Sequence, residues 1–261
     1  MTMTMSAETK TAAPGGVLPE EWALRVDLAA AYRLVALHGW DDLIFTHLSA
    51  RVPGPEHYFL INDYTLMFEE ITASNLVKID LDGNKVGDAP GAVNRAGFVI
   101  HSAIHAARED AQAVIHLHTP HGQAVSAMKE GLLPHTQTAM IAHHDVAYHD
   151  HEGIADALDE RERIVADLGE RNALILRNHG TLTVGSSVAE AFLRMYFLER
   201  ACEAQVLMLS AGRGALNEPP AEAVETVKAQ ARSPQARMIA EHVAWPALRR
   251  KLDRIDPSYR D

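Results

Sequence analysis

Two short links govern what this chain can fold into. Pro53-Gly54-Pro55 separates runs of strand character at 45–52 and 57–62, and Asn178-His179-Gly180 separates 173–177 from 181–184. Links this short join only antiparallel neighbours, because a parallel crossover needs a dozen or more residues. Elsewhere strand and helix patterns alternate. Apolar residues recur at helical spacing over 20–38, 96–108, 122–129 and 156–168, while 76–81 and 113–118 read as strands. The longest predicted helix is Val188–Leu209, with Ala191, Phe192, Met195, Leu198, Cys202, Val206 and Leu209 on one face and Leu193, Phe197 and Leu207 on a second. A helix apolar on two sides lies between layers or is shared with another subunit. The expected fold is therefore a layered α/β domain around a mixed, largely antiparallel sheet.

The composition of these 261 residues, 47% hydrophobic and 23% charged, supports a sizeable core of one large domain or two small ones. A net charge of −11 argues against a nucleic-acid partner, which needs a phosphate-neutralising field, and against an anionic membrane surface. No apolar run approaches the ~18–20 residues of a membrane span. The opening residues lack the basic and apolar regions of a secretory signal. A single cysteine, Cys202, excludes an intrachain disulfide and suits the cytoplasm. Residues 1–19 read as a flexible tail, 20–212 as the main domain, and 213–261 as a helical arm (221–243) with a tail.

Histidine is the unusual component, at 15 residues. In Val114-Ile115-His116-Leu117-His118-Thr119-Pro120 two imidazoles stand at i and i+2 of a strand and so share a face. A divalent cation would satisfy both, at roughly 2.0–2.1 Å for zinc; hydrogen bonds from two core histidines to backbone are the plainer reading. His179 supplies a third imidazole, on a tight turn whose Gly180 permits a positive φ or a close backbone approach. Three neutral imidazoles leave a dication with its full charge and open positions, as in catalytic zinc sites.

The segments at 101–108 (HSAIHAAR), 113–119 (AVIHLHT) and 174–185 (LILRNHGTLTVG) resemble the class II aldolase/adducin family. The likeness runs in order from about residue 20 to 212. It is nearest to the adducin head-like branch, through FTHLSARVPG at 45–54, ITASNLVKIDLDG at 71–83 and NRAGFVIHSAIHAARED at 94–110. The resemblance implies a three-layer α/β/α sandwich with a central mixed, mostly antiparallel sheet, assembled as a homotetramer. It also implies one divalent metal per subunit on His116, His118 and His179, with zinc expected and manganese, cobalt or iron as alternatives.

Three departures from the family pattern stand out. The family's catalytic glutamate, four residues before the position of His101, is Gly97. Its phosphate-cradling glycine turn is Asn62-Asp63-Tyr64-Thr65, where Asp63 would repel an anion. Its paired serines are Arg95 and Ala96. Arg95 either clamps a substrate carboxylate bidentately or is an exposed cation at a helix start. With the glutamate gone, His121 and Tyr148 are the first replacement acid/base candidates, ahead of His101, His143, His144, His149 and His151. Asp145 or Asp150 would orient a ligand imidazole.

The expected activity is that of a metal-dependent carbon–carbon lyase. An aldolase-like enzyme or decarboxylase would act on a small, non-phosphorylated oxo- or hydroxy-acid through a metal-stabilised enolate. Two other readings stay open. One is a non-catalytic adducin-head-like module for oligomerisation and cytoskeletal-type binding. The other is a mononuclear non-haem iron oxygenase.

Overall fold

The computed structural model describes residues 16–87, 90–153 and 160–261, the side chains of 95–98 excepted. Seven strands form one sheet: β1 (His47–Arg51), β2 (Phe59–Ile61), β3 (Val77–Ile79), β4 (Ala113–Leu117), β5 (Val146–His149), β6 (Ala173–Leu176) and β7 (Gly180–Gly185). Their order is β3-β2-β1-β4-β7-β6-β5. Every pairing is antiparallel except β5 with β6. Both short links join antiparallel neighbours, as their length demands.

Alternation along β4 assigns the two faces of the sheet. Ala113, Ile115 and Leu117 pack with α1 (Pro19–Leu37) and the start of α6 (Val188–Leu209). Val114 points the other way, into a cluster with Ile100 and Ile104 of α2 (Arg95–Ala107) and Ile164 and Leu168 of α5 (Glu160–Leu168). β6 divides likewise: Leu174 and Leu176 meet α2 and α5, whereas Ala173 and Ile175 pack with Leu198, Ala201 and Cys202 of α6. The result is a three-layer α/β/α sandwich around a mixed sheet. Phe192, Met195 and Leu198 of α6 are fully buried, each contributing roughly 1.5–3 kcal/mol of hydrophobic stabilisation. The second apolar face of α6 stays partly open within the protomer, with Leu207 63% exposed.

Three expectations differ from the observed elements. The segment around His143 and His149, to which the sequence reading assigns no element, forms α4 (Gln137–His143) and edge strand β5. The helix over 122–129 is shorter and earlier, α3 (Pro120–Ser126), because Pro120 is fitted to the first helical position and Thr119 caps it by accepting from the Gly122 N–H. The final residues are no tail. After α7 (Ala221–Ala231) and α8 (Pro234–Ile239), a π-helical turn at Ala240–Ala244 leads into α9 (Trp245–Ile255). Trp245 and Leu252 of α9 join the core beneath α1, and Trp245 Nε1 and Arg249 both donate to Asp27 at 2.9 Å. Among the expected features, 1–15 and 154–159 lie outside the described residues.

Candidate metal centre

His116 is the penultimate residue of β4, on the α2 face, and His118 is the first residue beyond the strand. The turn between β6 and β7 brings up His179. Asn178 adopts the left-handed conformation there, with φ 56°, which asparagine tolerates better than most side chains. Gly180 serves by its size, since a Cβ would stand 2.4 Å from the Leu117 carbonyl oxygen and 3.1 Å from the His118 ring. Asn178 N–H donates to Ser126 O, and Arg177 donates to Met128 O at 2.8 Å, so the turn is tied to α3 and the residues after it.

The three Nε2 atoms meet. His118 Nε2 lies 3.0 Å from His116 Nε2 and 2.8 Å from His179 Nε2. The outer nitrogens decide what this means. His116 Nδ1 faces the Thr181 carbonyl at 3.0 Å, and His118 Nδ1 faces Asp42 Oδ2 at 3.1 Å. Both partners only accept, so each Nδ1 carries the hydrogen and, in the neutral ring, each Nε2 presents a bare lone pair. Burial, reinforced by the neighbouring histidines, holds His116 well below the usual histidine range and brings His179 down to about 4. Both are therefore neutral near pH 7. Bare nitrogens pressed together repel unless a positive charge sits among them, and a proton would satisfy just one pair. Three imidazoles on one point fit a divalent cation, and they form the only such group among the described residues.

Asp42 is the carboxylate that holds the His118 ring. It comes from the loop after α1, where Trp40 stacks on His38 at 4.5 Å and lies against Tyr196 of α6. Neither Asp145 nor Asp150 has this place: Asp145 instead accepts from Asn172 N and Nδ2, bracing β5 against β6.

The proposed acid/base residues are dispersed. His121 occupies the first turn of α3, half-buried, and no hydrogen bond or ring contact among the described residues joins it to the triad. The Tyr148 hydroxyl accepts from the Leu132 N–H at 3.0 Å, and its ring lies under the Arg177 guanidinium; it too has no such contact with the triad. His149 is buried between Asp167 and Glu160, and His144 donates to the Ile141 carbonyl at the end of α4. His151 approaches the triad, exposed, with its ring centred 6.1 Å from that of His179. Arg95 and Gly97 begin α2, but the side chain of Arg95 lies outside the described ones.

Beside the triad, His101 and His105 of α2 are threaded on Ser49. His101 Nδ1 donates to Ser49 Oγ at 2.6 Å, Ser49 Oγ donates to His105 Nε2 at 2.8 Å, and His105 Nδ1 donates to the Ala111 carbonyl. The phosphate-loop position is occupied from within: Asp63 Oδ1 accepts from Thr65 N, Thr65 Oγ1 and Ala92 N. Partial burial would raise the Asp63 pKa, but these hydrogen bonds outweigh it and keep the carboxylate ionised.

Two side chains that brace the histidine-bearing segments leave no spacing signature. Asp42 sits in an irregular loop. Glu199 interrupts the apolar stripe of α6 between Leu198 and Cys202, and that lone charge on a buried face is the signal by which it could be found.

Residues 26–206 match the Class II Aldolase and Adducin N-terminal domain family. A Caulobacter vibrioides protein named for the class 2 aldolases is 60% identical over 247 residues, 95% of each chain. Mouse alpha-adducin is 49% identical over 199 residues, 74% of this chain but 27% of that protein. The crystal structure of an aldolase II superfamily protein from Pseudomonas syringae superposes with a TM-score of 0.87 at 55% identity, over 94% of this chain and 98% of that one. L-fuculose 1-phosphate aldolase from Glaciozyma antarctica gives 0.81 at 30% identity, over 93% of both chains. The chain belongs to the class II aldolase and adducin N-terminal domain family. No described helix is long and apolar enough to cross a membrane.

Proposed function

We propose that this protein is a divalent-metal-dependent carbon–carbon lyase acting on a small, non-phosphorylated 2-oxo- or 2-hydroxy-acid. The observation that carries the reading is the convergence of three Nε2 atoms, two of them on rings, His116 and His118, whose outer nitrogens are committed to acceptors. A dication held by His116, His118 and His179 would polarise a chelated carbonyl and stabilise negative charge developing on oxygen. Zinc suits three imidazoles with open positions. Asp63, already ionised and folded into its own loop, disfavours a phosphate there. Gly97 carries no carboxylate to remove a hydroxyl proton, which favours loss of CO₂ from a second carboxylate β to the chelated carbonyl: the breaking C–C bond would leave its electron pair as the enolate, a step needing no base to begin. For the proton transfer that completes the reaction, His151 replaces His121 as first candidate because its ring neighbours His179. Arg95 is assigned to the substrate carboxylate.

Residues 20–212 are taken as the catalytic unit and 213–261 as an arm. The exposed Leu207, Met238, Ile239 and Val243 support a homotetramer with interfaces on α6 and this arm. The buried lone cysteine, Cys202, suits a reducing compartment. The likeness to alpha-adducin favours a second reading, a non-catalytic assembly module.

Elemental analysis of the purified protein, followed by incubation with 2-oxo and 2-hydroxy acids, separates these readings. Zinc or manganese near one per chain with CO₂ or aldehyde release supports the lyase. Iron with oxygen consumption supports an oxygenase, and an intact oligomer that takes up no metal supports the module.

A further inference from the structure

We infer that Glu199 is a positioning residue for the metal centre, holding two histidine-bearing segments in register from the opposite face of the sheet. The inference rests on the metal reading above and adds a residue that this reading does not use.

Glu199 is 2% exposed on α6. Its Oε2 accepts from Thr119 Oγ1 and its Oε1 from Thr181 Oγ1, the latter at 2.9 Å. Thr119 directly follows His118. Thr181 lies two residues after His179, and its carbonyl accepts from His116 Nδ1. One carboxylate is thus a single residue removed from His118 and one backbone carbonyl removed from His116. Thr181 Oγ1 also lies 3.6 Å from Met195 Sδ, a weaker acceptor than the carboxylate. Thr119 Oγ1 already accepts the Gly122 N–H at 3.0 Å, which leaves its own hydrogen for Glu199.

The packing leaves little freedom. A Cβ at Gly122 would stand 2.8 Å from Glu199 Oε1 and 2.7 Å from Thr119 Oγ1, so helix α3 closes over the carboxylate. A buried carboxylate is costly unless hydrogen-bonded. Burial pushes the Glu199 pKa up to about 7 against the opposing pull of the two hydroxyls. Packing alone would be served better by the leucine or methionine found elsewhere on this stripe. The hydroxyls reaching Glu199 come from the two segments whose relative placement sets the distances between the histidine nitrogens.

The test measures zinc affinity by competition with a chromophoric chelator, and the visible spectrum of the cobalt(II) form, for wild type, Glu199→Gln, Thr181→Val and Thr181→Ser. Glu199→Gln keeps the shape and loses one acceptor, while Thr181→Val keeps the shape and loses the hydroxyl. Both are expected to weaken zinc binding 10- to 100-fold, the usual effect of removing a partner behind the ligands, and to shift the cobalt bands. Thr181→Ser, which restores the hydroxyl, is expected to restore affinity and spectrum. Wild-type affinity and spectrum in Thr181→Val, or in a folded Glu199→Gln, would overturn the inference. An equal fall in the Ser and Val variants would also overturn it, since packing rather than the hydroxyl would then be responsible. A wild-type protein that binds neither zinc nor cobalt would overturn the metal reading itself and this inference with it, a result distinguishable because no variant is involved.

Discussion

Two groups of histidines stand side by side, and they solve opposite problems. Around Ser49 the nitrogens are used internally: His105 has both engaged, by Ser49 Oγ and the Ala111 carbonyl, and His101 leaves only Nε2 over. In the triad the outer nitrogens of His116 and His118 are engaged and the inner ones confront each other. The same residue type is fully buried framework in one place and, in the other, a candidate coordination site where only His116 is fully buried. Burial alone does not identify a ligand histidine; the direction of its hydrogen bonds does.

Single substitutions can break that contrast. His116→Ala or His179→Ala should lower zinc affinity by more than 100-fold with an unchanged far-ultraviolet circular dichroism spectrum; retained occupancy by elemental analysis would remove either residue from the ligand set. Asp42→Ala should cost about 10- to 100-fold in affinity by the same chelator competition, because the His118 ring loses the acceptor fixing its tautomer. His105→Ala should do the reverse. By stranding Ser49 and the Ala111 carbonyl it should destabilise the fold by about 1–3 kcal/mol in urea unfolding, with wild-type metal stoichiometry.

The contrast can also be sharpened by pH. Burial first, and the Arg51 charge less so, bring His105 down to about 3, against the partial counter-effect of its bond to Ala111. Below pH ~6.5 the unfolded chain takes up this proton and the folded chain does not. Stability of the metal-free protein should therefore fall as pH drops from about 6.5 toward 3. The urea midpoint measured at pH 7, 6 and 5 should decline less steeply in His105→Ala. The smallest effect is expected for His121→Ala. With no hydrogen bond or ring contact to the triad, it should leave metal affinity within about twofold of wild type and the melting temperature within a degree or two.

What the sequence made legible follows from periodicity. β4, β7 and α6 have strong apolar patterns, and the two short turns enforce antiparallel pairing, so the architecture and the histidines on it could be read directly. β5 was opaque. Its residues Val146-Ala147-Tyr148-His149 form an edge strand held by parallel pairing to β6, a tertiary contact that leaves little local trace. Asp42 was opaque for a different reason: its loop is placed by aromatic stacking on α6, more than a hundred residues away in the chain. The preference for His121 came from nearness along the chain, whereas His151 reaches His179 through the turn after β5.

β4 lies at the middle of the seven strands, with three on each side. Its partner β7 is made only after β5 and β6, so a chain still on the ribosome holds His116 and His118 long before His179 can join them. A growing polypeptide therefore has two of the three imidazoles, and these would hold a dication less tightly than the completed set. Loading should be a late, post-synthetic event that reports completion of the sheet, and fragments ending before residue 180 should emerge without cargo.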